Sequence, residues 1–185
     1  MKTDHPPFKL IIALGNPGEE YDDTYHNAGF LALDRFMEQA ADEKKIAWKQ
    51  VKGTFKYFKN DDAIWAKPLV FMNDSGRAVQ AALAYLKLPA EEMLVVHDDS
   101  DLAIGEYKLS FDHGSAGHNG VKSIIEHLGT QKFWRLRIGI RPDTVETRRA
   151  KAGEFVLRKI NKENQGRILE AVEKAKSELF GSMAL

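Results

Sequence analysis

The chain has 185 residues, no cysteine, 43% hydrophobic residues, 29% charged residues and a net charge of zero at pH 7. This composition is typical of a globular chain, and we expect residues 1–185 to form a single domain around one core. The lack of cysteine excludes disulfides, thiolate metal ligands and a cysteine nucleophile, and the zero net charge argues against a generic nucleic-acid binder.

Apolar periodicity predicts alternating strands and helices in the first half of the chain. The run FKLIIAL is typical of a buried strand, and the turn residues Gly15-Asn16-Pro17-Gly18 end it. Helical spacing then predicts a helix over about 26–42. Alternation over 55–67 predicts a hairpin with its turn at 60–62, and a second helical pattern covers 73–86. Asn73 or Asp74 is the expected N-cap of the later helix.

The second half of the chain continues this alternation. We predict strands over 93–97, 106–111 and 134–140 and a helix over 119–128, between the second and third of these strands. A charged surface loop follows over 141–152. The chain closes with a helix whose apolar face consists of Ile168, Val172, Ala175 and Leu179. Strands that alternate with helices, together with one hairpin, predict an α/β fold. The sheet should be mixed but largely parallel, with helices flanking it.

Charge is unevenly distributed along the chain. Residues 131–151 carry seven Lys or Arg against two acids, whereas residues 91–101 carry five acids and neither Lys nor Arg. Such asymmetry can steer a polyanion to one face of a protein, although two solvated loops of opposite sign would give the same pattern.

Two nucleotide-binding patterns and one serine-hydrolase pattern are absent. Gly15-Asn16-Pro17-Gly18 matches neither G-x-G-x-x-G nor a Walker Gly-Lys-Ser/Thr, and Pro17 lacks the backbone N–H that a phosphate cradle uses. Gly114-Ser115-Ala116-Gly117 is not the G-x-S-x-G of a nucleophile elbow. The sequence therefore predicts neither a nucleotide cofactor nor a serine nucleophile.

Metal-binding patterns are also absent. His113 and His118 are five residues apart without the glutamate of H-E-x-x-H, and Asp98, Asp99 and Asp101 lack the glycine and distal glutamate of a calcium loop. We predict no metal site from these patterns, and a site of another arrangement stays open.

Polar residues stand at predicted strand ends and helix starts, where α/β folds place their ligands. A histidine with a carboxylate partner can act as a general base, and asparagine amides suit a carbonyl or a developing oxyanion. With no nucleophilic side chain in view, such a base would activate water. The set consists of Asn16, His26 with Asn27, Asn73, His97 with Asp98, and His118 with Asn119.

Five stretches occur in an order that identifies a family. They are LGNPGEEYDDTYHNAG, KPLVFMNDSG, HDDSDLAIGEYKL, GHNGVKSIIEHLGTQKFWRLRIGI and FVL, between Leu10 and Leu157. In this combination the chain resembles the bacterial-type peptidyl-tRNA hydrolases.

The resemblance implies hydrolysis of the ester between a nascent peptide and the 3′ ribose of tRNA, which recycles stalled peptidyl-tRNA without a metal or an organic cofactor. By the same resemblance, His26 is the general base for water and Asp98 holds its imidazole in the usable form. Asn16 matches the residue that distinguishes N-blocked peptidyl-tRNA from free aminoacyl-tRNA. Contacts to the peptidyl-tRNA end are implied for Tyr21, Phe71, Asn73 and Asn119.

Four cations near the GHNG stretch are candidates for tRNA phosphate contacts, or alternatively solvate an exposed face: Lys108, Lys122, Arg135 and Arg137. The chain also differs from the family pattern. Tyr25 replaces an arginine, Ser110 replaces a second basic residue, HDDSDL replaces HDELDL, and the sequence ends at Leu185 without the basic tail of many relatives. The resemblance therefore leaves the strength of the hold on RNA open, whereas the catalytic pair matches the family.

The resulting prediction is a monomeric peptidyl-tRNA hydrolase in the cytoplasm, away from membranes, because neither a transmembrane run nor a signal peptide is evident. Two other functions remain alternatives: an RNA-binding module of the same fold without turnover, and a metal-dependent phosphodiesterase.

Overall fold

The computed structural model describes residues 8–38, 46–60, 63–142 and 152–181. Its seven strands form one sheet, and their bounds in chain order are β1 (Leu10–Ala13), β2 (Lys49–Val51), β3 (Phe55–Lys59), β4 (Ile64–Pro68), β5 (Met93–Ala103), β6 (Tyr107–Phe111) and β7 (Trp134–Arg141). The spatial order is β2-β3-β4-β1-β5-β7-β6.

The centre of the sheet is parallel and both edges are antiparallel. Strand β1 pairs in parallel with β4 and β5, and β5 pairs in parallel with β7. The hairpins β2–β3–β4 and β6–β7 supply the antiparallel edges. Parallel strands end at the same edge of a sheet, so the segments after β1 and β4 and the later part of β5 lie near one another. The predicted mixed α/β fold is confirmed.

Helices cover both faces of the sheet. They are α1 (Ala28–Glu38), α2 (Ser75–Leu86), α3 (Asn119–Leu128), the short α4 (Ala152–Phe155) and α5 (Lys162–Phe180). Alternate residues of β1 and β5 divide between two cores, one shared with α1 and α5 and the other with α2 and α3. Asn161 caps α5 by accepting a hydrogen bond from the Asn164 N–H at 2.8 Å. Within the described ranges, no helix combines the length and apolar character that crossing a bilayer would require.

Close packing of α1 on the sheet brings the segment before it to the strand ends. A Cβ added at Gly29 would lie 2.5 Å from the carbonyl oxygen of Leu14 and 2.6 Å from that of Val96. Only glycine permits this approach of helix to strand. The residue three positions earlier, His26, therefore lies above the ends of β1 and β5.

Two predicted boundaries near the site differ from the structure. The helix predicted from 26 begins instead with a 3₁₀ turn, Tyr25–Asn27, in which the His26 N–H donates to the carbonyl of Val156 at 2.8 Å. The strand predicted over 93–97 extends to Ala103 and still pairs with β7 at Asp98 and Asp99. Asp98 thus lies within β5 and not in the loop after it, and its carboxylate contacts side chains from other elements.

Of the other predicted elements, some are confirmed and some differ from the structure. The hairpin between β3 and β4 is confirmed, whereas β2 and α4 were not predicted because both are very short. Asp74 occupies the N-cap position of α2, but its carboxylate binds Arg77 at 3.0 Å instead of capping the helix. The predicted turn residues 61–62, helix residues 39–42 and loop residues 143–151 lie outside the described part of the chain.

Candidate active site

His26 and Asp98 form a hydrogen-bonded pair at the centre of the site. The Nδ1 atom of His26 lies 2.9 Å from Oδ1 of Asp98, and the exposed fractions of the two side chains are 12% and 3%. An ionised carboxylate only accepts hydrogen bonds, so Nδ1 carries the proton and Nε2 keeps a free lone pair. Because the ring lines a cleft, that lone pair is available to a molecule bound there.

The environment of His26 favours its protonated form. Burial lowers the pKa of this imidazole, but the charge and the hydrogen bond of Asp98 together outweigh burial and raise the pKa above its ordinary value. Burial likewise opposes ionisation of Asp98. The neighbouring His118 and His26 nevertheless hold the pKa of that carboxyl well below its usual range. Asp98 therefore stays ionised and can stabilise a positive charge that develops on His26.

His118 is a second histidine on the same carboxylate oxygen. Its Nε2 lies 2.8 Å from Oδ1 of Asp98, and its Nδ1 accepts a hydrogen bond from the backbone N–H of Val121 at 3.2 Å. The second bond makes His118 the N-cap of α3. Since Nδ1 must be an acceptor, Nε2 carries the ring proton and donates a hydrogen bond to Asp98.

His97 lies beneath this pair and is fully enclosed. Its Nδ1–H donates to the backbone carbonyl of Asp98 at 2.6 Å, and its ring packs edge-on against His118 with centroids 4.7 Å apart. Burial, followed by the nearby His118, lowers the pKa of His97 well below its ordinary value. This histidine is therefore a neutral packing partner.

His26, Asp98 and His118 also meet a distance criterion for a metal site, with their ligand atoms within 4.8 Å of one another. The hydrogen bonds do not suit a metal, however. A metal ion on Nε2 of His118 would move the ring proton to Nδ1, where it would oppose the N–H of Val121. The three residues therefore fit a proton-handling site better than a metal centre.

Asn16 is held at the end of β1 by its neighbours. Its Oδ1 accepts the backbone N–H of Met72 at 2.8 Å, and its own backbone exchanges two hydrogen bonds with the side chain of Asn27. These bonds connect the β1 turn to the 3₁₀ turn that carries His26. They also connect it to the Met72–Asp74 turn, which carries Asn73 and precedes α2.

Among the described residues that line the cleft, Asn119 is the one predicted substrate contact, whereas Tyr21, Phe71 and Asn73 do not line it. Asn119, the first residue of α3, lines it together with His26, Asp98 and His118. Asn73 is exposed on its 3₁₀ turn. Phe71 is 57% exposed and meets the ring of Tyr21 edge-on, with centroids 5.9 Å apart. The last two form an aromatic surface near the turn that carries Asn73.

The four predicted phosphate-contact residues fall into two groups. Lys108 and Lys122 are exposed, and Lys122 has an acidic neighbour, Glu126, at 3.9 Å. Arg135 is 0% exposed and Arg137 is 7% exposed, because side chains 135 and 137 of β7 point into the structure. Arg137 donates to Asp99 at 2.6 Å, and burial lowers the pKa of Arg135 to about 10. Of the four predicted residues, the two lysines are thus exposed and the two arginines are buried.

Two positions that differ from the family pattern are integrated into the fold. Tyr25 is buried against Phe155, and its hydroxyl accepts a hydrogen bond from the Asn164 amide at 2.7 Å. Ser110 lies opposite Arg135 in the β6–β7 ladder, and its Oγ is buried without a hydrogen-bond partner in the described part of the chain. Tyr25 is therefore a packing residue, for which the sequence expectation was only a lost basic contact.

Sequence reasoning gave His118 no separate role, although it placed this residue in the polar set beside Asn119. Its role depends on the contact between β5 and the N-terminus of α3, which lie 20 residues apart at Asp98 and His118. A histidine directly before a helix start was the available signal, because side chains that accept hydrogen bonds are preferred there.

Comparison with known proteins gives consistent results. The family model described as peptidyl-tRNA hydrolase matches residues 10–184. A peptidyl-tRNA hydrolase of Lactobacillus delbrueckii subsp. bulgaricus is 48% identical over 73% of this chain and 74% of that protein, and one of Bordetella avium is 37% identical over 92% and 83%. The crystal structure of the Acinetobacter baumannii enzyme superimposes with a TM-score of 0.78 at 31% identity, over 96% of this chain and 89% of that one. The chain belongs to the peptidyl-tRNA hydrolase family.

Proposed function

We propose that this protein hydrolyses the ester bond between the peptide, or an N-blocked amino acid, and the 3′ ribose of tRNA. The observation that carries the proposal is the arrangement of His26, whose Nδ1–H is bound to Asp98 while the residue lines the cleft. This arrangement is that of a general base. Family membership supplies the substrate class, which the geometry alone does not define.

The reaction begins with water between His26 and the ester carbonyl. Nε2 removes a proton from the water as its oxygen attacks the carbonyl carbon, and Asp98 stabilises the imidazolium that forms. The tetrahedral intermediate then collapses, and the ester bond to the 3′ oxygen breaks. The imidazolium returns its proton to that oxygen, so the products are a free carboxylic acid and tRNA with its 3′ hydroxyl.

Amide groups around the cleft hold the substrate. Asn119 at the first position of α3 and Asn73 on its exposed turn offer donors and acceptors to the peptide and the ester carbonyl. The side-chain oxygen of Asn16 accepts a hydrogen bond from the backbone N–H of Met72, which orients the amide. We assign to Asn16 the discrimination of N-blocked from free aminoacyl ends. Tyr21 and Phe71 provide an aromatic surface for the peptidyl-tRNA end.

We also propose that residues 1–185 act as a single domain and a monomer in the cytoplasm, recycling peptidyl-tRNA from stalled translation without a metal ion. Light scattering of the purified protein tests the monomer directly. Turnover that persists in EDTA supports the metal-free reaction, whereas loss of turnover in EDTA and recovery with a divalent metal would contradict it.

The principal test compares N-acetyl-aminoacyl-tRNA with unblocked aminoacyl-tRNA as substrates of the wild-type protein and His26→Ala. We expect the wild type to release only the N-acetylated amino acid. We expect His26→Ala to lose on the order of 10²- to 10⁴-fold in kcat while retaining tRNA affinity. Binding of tRNA by the wild type without any cleavage would instead indicate an RNA-binding module.

A further inference from the structure

We propose that His118 is a positioning residue that sets the basicity of His26 through their shared carboxylate. This inference rests on the proposed function, since it concerns the general base of that reaction. Both histidines donate to the same oxygen, Oδ1 of Asp98, at 2.9 Å from His26 and 2.8 Å from His118. The two imidazole centroids lie only 5.0 Å apart.

The sharing of one oxygen has an electrostatic consequence. A hydrogen bond from His118 stabilises the negative charge of Asp98 and reduces the pull of that charge on the His26 proton. If the bond from His118 is removed, the buried carboxylate retains its charge but, among the residues that the structure describes, keeps only His26 as a side-chain donor. The imidazolium form of His26 is then favoured more strongly, and a larger fraction of the base is protonated at neutral pH.

The tautomer of His118 is set by the fold. Its Nδ1 accepts the N–H of Val121 in the first turn of α3, so Nε2 must present its proton to Asp98. His97 packs edge-on against the ring, which restricts the ring to this orientation. The N-terminus of α3, with Asn119 beside the cap, is thereby connected to the carboxylate that orients the general base.

Few other titratable groups face His26 in the described part of the chain. Asp98 comes from β5 and His118 from the start of α3, and Asp99 lines the same cleft. The segment after α4 contributes a backbone carbonyl, that of Val156. Arg137 already pairs with Asp99, which leaves His118 as the neighbour best placed to change the charge that His26 experiences.

Two substitutions separate the two hydrogen bonds of His118. In His118→Asn the amide oxygen takes the place of Nδ1 and keeps the helix cap, but the side chain is too short to reach Asp98. In His118→Gln the amide nitrogen takes the place of Nε2 and keeps the bond to Asp98, but the cap acceptor is lost. The pair therefore distinguishes a positioning role from a purely structural role.

The experiment measures the His26 titration by NMR, the pH dependence of kcat/KM on N-acetyl-aminoacyl-tRNA, and the melting temperature of each variant. For His118→Asn we expect a lower melting temperature, because the buried carboxylate of Asp98 loses a donor. We also expect an upward shift of the His26 titration and of the acid limb by about one pH unit, and a kcat/KM up to about tenfold lower at neutral pH. For His118→Gln we expect a lower melting temperature with a wild-type pH profile.

A His26 titration in His118→Asn that coincides with the wild-type titration would overturn the inference. Activity that follows the melting temperature in both variants would overturn it as well. The NMR titration needs no substrate, so it tests the inference even where the wild type fails to cleave peptidyl-tRNA. Failure of the proposed function is recognised separately, by the absence of wild-type turnover.

Discussion

Asn16 and Asn27 exchange two buried hydrogen bonds: the Asn16 N–H donates to Oδ1 of Asn27 at 2.8 Å, and Nδ2 of Asn27 donates to the Asn16 carbonyl at 3.0 Å. The side chain of Asn27 thus satisfies both polar groups of a neighbouring peptide backbone. Since Asn27 directly follows His26, this exchange fixes His26 relative to the end of β1.

The substitution Asn27→Ala should therefore destabilise the protein. It leaves two buried backbone groups of Asn16 without their partners, and we expect the free energy of unfolding to fall by about 2–4 kcal/mol. Urea denaturation measures the loss. The exposed Asn73 provides the control, because Asn73→Ala should change the free energy by less than about 0.5 kcal/mol. Equal stability of the two variants would show that the Asn16–Asn27 exchange contributes nothing to folding.

The pH dependence of the reaction follows from the His26–Asp98 pair. A general base works only when neutral, and Asp98 raises the pKa of His26 above its ordinary value despite burial, so kcat/KM should be lost as the pH falls through that raised pKa. In Asp98→Asn the charge that raises this pKa is gone and burial remains. We therefore expect the His26 titration to move to lower pH, while kcat falls on the order of 10²- to 10⁴-fold because the imidazolium loses its stabilising charge.

NMR titration of His26 in the wild type and in Asp98→Asn gives the first result, and steady-state kinetics gives the second. The direction of the titration shift is the decisive observation. An unchanged or higher pKa of His26 in Asp98→Asn would mean that the carboxylate is not the main cause of the raised value.

The alternation of apolar segments was sufficient to predict the α/β fold. The histidine and asparagine positions at segment ends predict a site, and His26, Asp98 and Asn119 from that set line one cleft. The burial of Arg135 and Arg137 could not be predicted in the same way. Alternating charged residues in a strand, as in WRLRIGI, are typical of a half-exposed sheet face. Here that face is covered, and Asp99 on the adjacent strand accepts a hydrogen bond from Arg137 at 2.6 Å. The covering of a face is a tertiary property.

The same reasoning applies to the shared oxygen of Asp98. The sequence separates Asp98 from His26 by 72 positions and from His118 by 20, and no periodic pattern relates such distances. Only the packing of Gly29 on the ends of β1 and β5, and of α3 on the opposite face, brings the three side chains together.

Contacts to tRNA phosphates should involve the exposed lysines. A side chain that neutralises one phosphate releases counterions, so Lys108→Gln and Lys122→Gln should each reduce the slope of log affinity against log salt by about 0.7 to 1. Binding of uncharged tRNA at several salt concentrations measures the slope. Lys87, exposed beyond the end of α2 that is remote from Asn73, is the matched control. Identical slopes in all three variants would contradict a role for Lys108 and Lys122.

The close approach of α1 to the sheet gives the last prediction. In Gly29→Ala the new methyl group would meet the carbonyl oxygens of Leu14 and Val96 at 2.5 and 2.6 Å, so the helix must move away from the strand ends. We expect the free energy of unfolding to fall by about 1–3 kcal/mol. Because His26 is three residues from Gly29, the displacement should also lower kcat by more than the unfolded fraction explains.

Gly166 is the control for this substitution. It lies in α5, and a Cβ added there meets nothing within 4 Å, so Gly166→Ala should raise stability by about 0.5–1 kcal/mol through its effect on helix propensity alone. Thermal unfolding is measured for both variants, and kcat is measured at a temperature where each variant is fully folded. If Gly29→Ala is destabilised but retains wild-type kcat when folded, then α1 does not transmit its position to His26, and the 3₁₀ turn is held by its bonds to Val156 and Asn16 instead.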